Sequence, residues 1–185
     1  MPVLEIIGFI LTIAGVLFAS HQNSITWLIS IVSPLLYIVV FYNSKLYADA
    51  FLQFFFIALS VYGLLSWRKE KLKLNHAVRK MNSNEIMLSS FSTIVLCACF
   101  YYFLKNYTNT DVPFADGFLT TLSLLATWLT AKKIIENWWI WIFADVLYAF
   151  LFFYKELYIT SFLYLILAAL AVYGLFKWKK QIQVV

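Results

Sequence analysis

Asp145 is the residue with the most chemistry to explain. It stands in the run ENWWIWIFADVLYAF, residues 136–150, which is otherwise almost wholly apolar or aromatic. Trp138, Trp141, Asp145, Tyr148 and Phe152 follow 3-4-3-4 spacing, which puts them on one face of a helix. Two indoles, a carboxylate and a phenol on one face suit a flat, cationic or donor-rich ring system. The carboxylate can pair with a cation or accept hydrogen bonds from an amine. Each cation–aromatic contact contributes about 0.5–1 kcal/mol when exposed and about 2 kcal/mol when desolvated. A second face carries Gln53, Phe56 and Ser60, continued by Gly63 and Trp67. A third carries Trp27, Ser30, Pro34, Tyr37 and Phe41. The candidate substrate-binding set is therefore Asp145, Trp138, Trp141, Tyr148, Gln53, Ser60, Trp27 and Tyr37.

Other reactive residue types have plainer roles. Trp67 and Trp178 fall near the ends of apolar runs, where tryptophan usually belongs to the interfacial belt. Cys97 and Cys99 point to different helix faces, so they read as small apolar residues, neither a disulfide pair nor a metal site. His21 and His76 fall in loops, Glu5 and Asp116 near the outer ends of their runs, and Asp49 near a helix start. Solvation or capping is the expected role of each. No catalytic constellation, metal-ligand cluster, Walker motif or cofactor motif is present, so no enzyme activity, metal or cofactor is expected.

The elements that hold these residues follow from composition. Of the 185 residues, 63% are hydrophobic and 12% charged, with a mean hydropathy of +0.82. Soluble domains are nearer 45–50% apolar and about 25% charged, so the solvent for most of this chain is lipid. A span needs roughly 20 mostly apolar residues. The chain offers seven such runs, at about 3–20, 24–42, 47–67, 85–104, 114–131, 137–154 and 158–176. Membrane strands would alternate over about ten residues. These runs are longer and nearly continuous, so they are helices. The fold class is an all-α integral membrane protein with seven transmembrane helices. The first run has no charged n-region and no small-residue cleavage site, so it reads as mature protein.

Seven spans put the termini on opposite sides. Eleven of the fourteen Lys and Arg, from Arg68 to Lys180, then share the side of the C-terminus, and Lys45, Lys105 and Lys155 lie opposite. Positive charge favours the cytoplasm, which places the N-terminus outside. The net charge of +5 reports topology, since nucleic-acid binding would need a clustered basic surface.

The chain also repeats itself. Shifted by 111 residues, 27–69 lies on 138–180 without a gap, with 18 of 43 pairs identical. Three helices reverse direction across a membrane, and a fourth between two triplets restores a common orientation. The expected architecture is a 3+1+3 parallel repeat: 1–68 as the first three-helix unit, 69–111 as a basic loop and linker helix, 112–185 as the second unit. Parallel repeats of this kind occur in transporters, with substrate near the midplane at the repeat interface.

The duplication, QFFFIALSVYG in the third span and ENWWIWIFADVLY in the sixth resemble the Pnu-type bacterial vitamin transporters, the PnuC/PnuT family. The resemblance implies a SWEET-like seven-helix fold in the bacterial inner membrane, with N-terminus outside and C-terminus cytoplasmic. It implies facilitated diffusion of an unphosphorylated B-vitamin, trapped afterwards by a cytoplasmic vitamin kinase. Members that carry nicotinamide riboside have Gln and Asn seven apart in span three and Trp-x-x-Trp-x-x-x-Asn in span six. Here those positions hold Gln53 and Ser60, and Trp138, Trp141 and Asp145. Both asparagines are replaced, and the thiamine-carrying branch resembles this chain more closely at the Asp-Val of span six. Thiamine is the expected substrate, nicotinamide riboside the alternative and riboflavin third. A substrate-binding subunit of a multi-component importer is a further reading. The expected partners are a vitamin and the bilayer, with no nucleic acid; homo-oligomerisation stays open.

Overall fold

The computed structural model describes residues 2–43, 47–72 and 78–182. Among them lie seven helices: α1 (Pro2–Ser20), α2 (Ile25–Asn43), α3 (Tyr47–Leu72), α4 (Ser83–Tyr107), α5 (Pro113–Ala131), α6 (Glu136–Tyr154) and α7 (Tyr158–Lys179). Five, α3 to α7, are long and apolar enough to cross a membrane, and α1 and α2 contribute shorter apolar stretches, Ile7–Ser20 and Ile25–Val39, within the described residues. The seven runs read from the sequence are thus seven helices, and the chain is a multi-pass integral membrane protein. Asp49, Glu5, His76 and Lys45 lie outside the residues whose side chains are described.

Local chemistry sets the helix ends. Asn82 and Glu85 form a capping box that starts α4, each side chain meeting the other's backbone N–H. Pro113 opens α5 at a position where its missing N–H costs nothing. The short α1–α2 and α5–α6 turns each pass through one left-handed residue, Gln22 and Lys133, both at φ 52°. These two positions are 111 apart. Neither is glycine, so each turn accepts a backbone conformation that costs an ordinary residue free energy.

The helices form a closed ring. α1 packs on α2, α2 on α3, α3 on α5, α5 on α6, α6 on α7 and α7 back on α1, while α4 lies outside the ring against α5. Each three-helix group therefore closes the ring by reaching across to the other group.

One end of the ring is sealed by indoles. Trp27, Trp67, Trp178 and Trp138 run in a chain, with ring centroids 5.4, 6.3 and 5.4 Å apart and the outer two contacts edge to face. Trp67 and Trp178 are 2% and 0% exposed, so the interfacial-belt expectation for them is wrong. Each indole N–H instead adds a second donor to a carbonyl at the end of another helix, one that already accepts a turn N–H: Lys133 N to Thr130 O at 3.0 Å and Gln22 N to Ala19 O at 2.9 Å. The last turn of a helix leaves its C=O groups without intrahelical partners. Trp67 Nε1 donates to Thr130 O in the last turn of α5 at 3.2 Å, and Trp178 Nε1 donates to Ala19 O in the last turn of α1, also at 3.2 Å. Trp67 and Trp178 are 111 apart, as are Ala19 and Thr130, so each indole finishes the matched helix of the opposite group.

Beneath the indoles a strap crosses the same end. Val78, 1% exposed, packs into the tryptophan cluster and bridges to Ile182. Arg79 N donates to Lys133 O at 3.1 Å and Ile135 N donates to Arg79 O at 2.9 Å. Met81 N donates to Glu136 Oε2 at 3.1 Å, and the Arg79 guanidinium forks onto both oxygens of Glu85 at 2.7 Å. Gln22 donates to Gln181 nearby. The described end of the α3–α4 connector, Val78 to Met81, is thus stitched to the α5–α6 turn and to the end of α7 at this basic end of the ring.

Candidate functional site

A cavity of about 390 Å³ lies inside the ring, lined by residues of every helix except α4. It has the size of a small-ligand site. Asp145, Trp138, Trp141, Tyr148, Ser60 and Trp27 all line it. Gln53 and Tyr37 are not among its lining residues. Gln53 is half-buried on α3. Tyr37 is 40% exposed on α2 with its hydroxyl against Gly8 of α1.

Asp145 is 4% exposed. Among the described residues it has no hydrogen bond and no ion pair, and no Lys, Arg or His lines the cavity. A mid-membrane carboxylate costs about 2.5–3.5 kcal/mol on insertion scales. With no cation beside it among the described residues, the carboxylate is chemically available to a ligand that brings positive charge or hydrogen-bond donors. Tyr148, one turn along α6, stacks on Tyr164 of α7 with centroids 4.7 Å apart, and Phe152 stacks on both. Trp141 is half-buried at the wall. The aromatic and anionic half of the cavity therefore comes from α6 and α7.

The indoles of Trp27 and Trp138 form its floor, at the basic end. Each leans on a glycine: a Cβ on Gly63 would lie 2.5 Å from the Trp27 ring, and a Cβ on Gly174 2.5 Å from the Trp138 ring. Only a residue without a side chain lets these rings lie flat on α3 and α7. The Nε1 atoms of both indoles are buried without a partner among the described residues.

Ser60 has a structural task. Pro34 has no N–H, so the carbonyl of Ser30, four residues earlier, loses its helical donor. Ser60 Oγ of α3 lies 3.1 Å from that carbonyl and 2.7 Å from Phe56 O, and its one proton is shared between them. The proline kink and the serine form one unit across α2 and α3.

The sequence reading missed the hydroxyl groups of α5. Ser123, Thr127 and Thr130 line the cavity with spacings of four and three, joined by Thr12 of α1 and Thr26 of α2. The helical stripe of small hydroxyls in an apolar span was the available signal. Among the described residues no group of three His, Cys, Asp or Glu is placed to hold a metal ion.

A family model described as "Nicotinamide mononucleotide transporter" matches residues 2–180. The chain is 25% identical over 197 residues to the nicotinamide riboside transporter PnuC of Escherichia coli (strain K12), covering 90% of this chain and 82% of that protein. It is 22% identical over 182 residues to the riboflavin/roseoflavin transporter RibM of Streptomyces davaonensis, covering 94% of this chain and 83% of that one. Its fold is similar to the crystal structure of the vitamin B3 transporter PnuC, with a TM-score of 0.73, 21% identity, and coverage of 97% of this chain and 81% of the other.

Proposed function

The chain belongs to the nicotinamide mononucleotide transporter family, and on that premise we propose that it carries an unphosphorylated, cationic B-vitamin across the membrane, with nicotinamide riboside ahead of thiamine. The order expected from the sequence is reversed. The relative named for nicotinamide riboside is the weightier support, whereas Asp145 alone suits either cation. Thiamine stays as the second reading for one reason: Asp145 stands where the Trp-x-x-Trp-x-x-x-Asn pattern has its asparagine. Riboflavin is uncharged and larger, and ranks third.

One observation carries the reading: Asp145 is buried, lines the cavity inside the ring and has no cationic partner among the described residues. The pyridinium or thiazolium ring pairs with Asp145 and lies between Trp141 and the stacked Tyr148 and Tyr164, displacing water that the carboxylate otherwise holds. The two matched groups, α1–α3 and α5–α7, act as the units of a 3+1+3 parallel repeat, with 1–68, 69–111 and 112–185 as its parts. Matched contacts 111 residues apart support this: Trp27 on Gly63 and Trp138 on Gly174, and the two indole caps. The basic end faces the cytoplasm of a bacterial inner membrane. Transport then opens that end by rocking one group against the other, and a cytoplasmic kinase traps the product.

Purified protein in liposomes tests this. Labelled nicotinamide riboside should enter saturably without ATP or a second protein, and Asp145→Asn should lower the uptake at low substrate. Strict dependence on another subunit would instead identify a binding component of a larger importer.

A further inference from the structure

The cavity's polar wall has a polarity of its own. A hydroxyl carries one proton and two lone pairs, so where the proton goes decides what the group can offer a ligand. Thr12 Oγ1 gives its proton to Gly8 O at 2.8 Å, and Thr26 Oγ1 to Gly15 O at 2.9 Å. On α5, Ser123 donates to Leu119 O at 2.9 Å, Thr127 to Ser123 O at 2.7 Å and Thr130 to Ala126 O at 2.8 Å. Tyr148 Oη lies 3.5 Å from Ser123 Oγ. Ser123 has already committed its proton, so Tyr148 is the donor of that long contact. Around Asp145, then, the hydroxyls of α1, α2 and α5 keep oxygen lone pairs for the cavity and hold their protons in the scaffold, while the Tyr148 hydroxyl is held only by that long contact. The indole N–H groups of Trp27 and Trp138 are buried away from the free volume. The remaining donors are few: Ser30, Ser33, Tyr148, Tyr164 and the Trp141 N–H.

We propose that Ser123, Thr127 and Thr130 form with Asp145 an acceptor wall, which selects ligands by an exocyclic N–H donor and rejects isosteres that present oxygen at that position. The proposal rests on the vitamin-carrier reading and deepens it. An N–H group finds lone pairs on the wall, whereas an oxygen meets other oxygens, leaving acceptors unpaired and like partial charges opposed. The specificity residue is Thr127, which is only half-buried and so accessible to a ligand.

The test uses two pairs of ligands of nearly equal size. Nicotinamide riboside is compared with its carboxylic acid analogue, and thiamine with oxythiamine, in which the ring amine is replaced by oxygen. Calorimetric titration of the detergent-purified full chain measures all four. In whichever pair the vitamin binds, the oxygen analogue should bind about 100-fold more weakly. Thr127→Val keeps the shape, leaves the Ser123 carbonyl with its helical N–H, and should cut that ratio to about tenfold or less. Ser123→Ala supplies a second variant should the first fail to fold, as judged by its thermal melt. An analogue that binds within threefold of its vitamin, or a ratio unchanged in a folded Thr127→Val protein, overturns the acceptor wall while leaving the carrier reading standing. If neither vitamin binds, the carrier reading falls and the wall falls with it.

Discussion

Asp145 and Ser60 show two opposite uses of a polar side chain in lipid. Asp145 sits at the cavity without a protein partner among the described residues, so no protein contact offsets the cost of its burial. Asp145→Asn should lower affinity for nicotinamide riboside by about tenfold or more, about 1.4 kcal/mol, by calorimetric titration. It should leave the melting temperature unchanged or raised, because a neutral amide is easier to bury than a carboxylate. Ser60 is spent on structure. Ser60→Ala should lower stability by about 1–3 kcal/mol in a detergent melt, since the Ser30 carbonyl loses its remaining donor. Its effect on affinity should be smaller than that of Asp145→Asn. Asp145 was legible in the sequence because 3.6-residue periodicity on a single helix places it beside Trp141 and Tyr148. The role of Ser60 was not legible, because it depends on which turn of α3 faces Pro34, and that is a matter of packing between helices.

At the scale of the element, the two glycine–tryptophan contacts decide how closely α2 lies on α3 and α6 on α7. Gly174→Ala drives a methyl group into the Trp138 ring, and overpacking of this kind costs about 1–3 kcal/mol. The atoms it meets belong to the far edge of the indole, which phenylalanine lacks. A double-mutant cycle with Trp138→Phe should therefore show a coupling of about 1 kcal/mol or more in the direction of rescue. Additive losses would mean that the contact is not what holds the pair. Helix positions were legible throughout, since each apolar run between polar connections became one helix. The misplacement of Trp67 and Trp178 has a definite cause. Position near the end of a run signals an interfacial tryptophan, but a run carries no record of a neighbouring helix whose terminal carbonyls will accept the indole N–H. The α5 hydroxyl stripe was legible in principle. It went unread because serine and threonine in a span are usually bonded to their own helix, as these are, and the cavity uses the lone pairs that remain.

In the whole molecule, ring closure depends on exchange between the two halves. α3 meets α5 and α7 meets α1, and Trp67 and Trp178 carry those junctions. Trp67→Phe and Trp178→Phe should each cost about 1 kcal/mol and cost nearly the same, because the two bonds are matched in length and setting. The 111-residue shift made the paired contacts of the two groups legible, since Trp67 and Trp178, and Thr130 and Ala19, stand at that spacing. The strap through Val78 and Arg79 was not, since a basic connector between spans looks like any solvated loop. Severing the chain in the α4–α5 connection, within 108–112, breaks none of the indole bonds. The two fragments made together should reassemble and bind ligand in a titration, while either fragment alone should not.

The exchanged indoles also bear on the order of events during synthesis. When α1 leaves the ribosome, the carbonyl of Ala19 has no indole to receive it until Trp178, 159 residues later, has been made. Trp67 in turn waits for Thr130. The first three helices can enter the bilayer as they emerge, but they cannot settle against one another as they do in the finished protein. Tight packing becomes available only when the last helix arrives, so a ribosome stalled before Trp178 leaves an inserted chain that membrane quality-control proteases should recognise as unfinished.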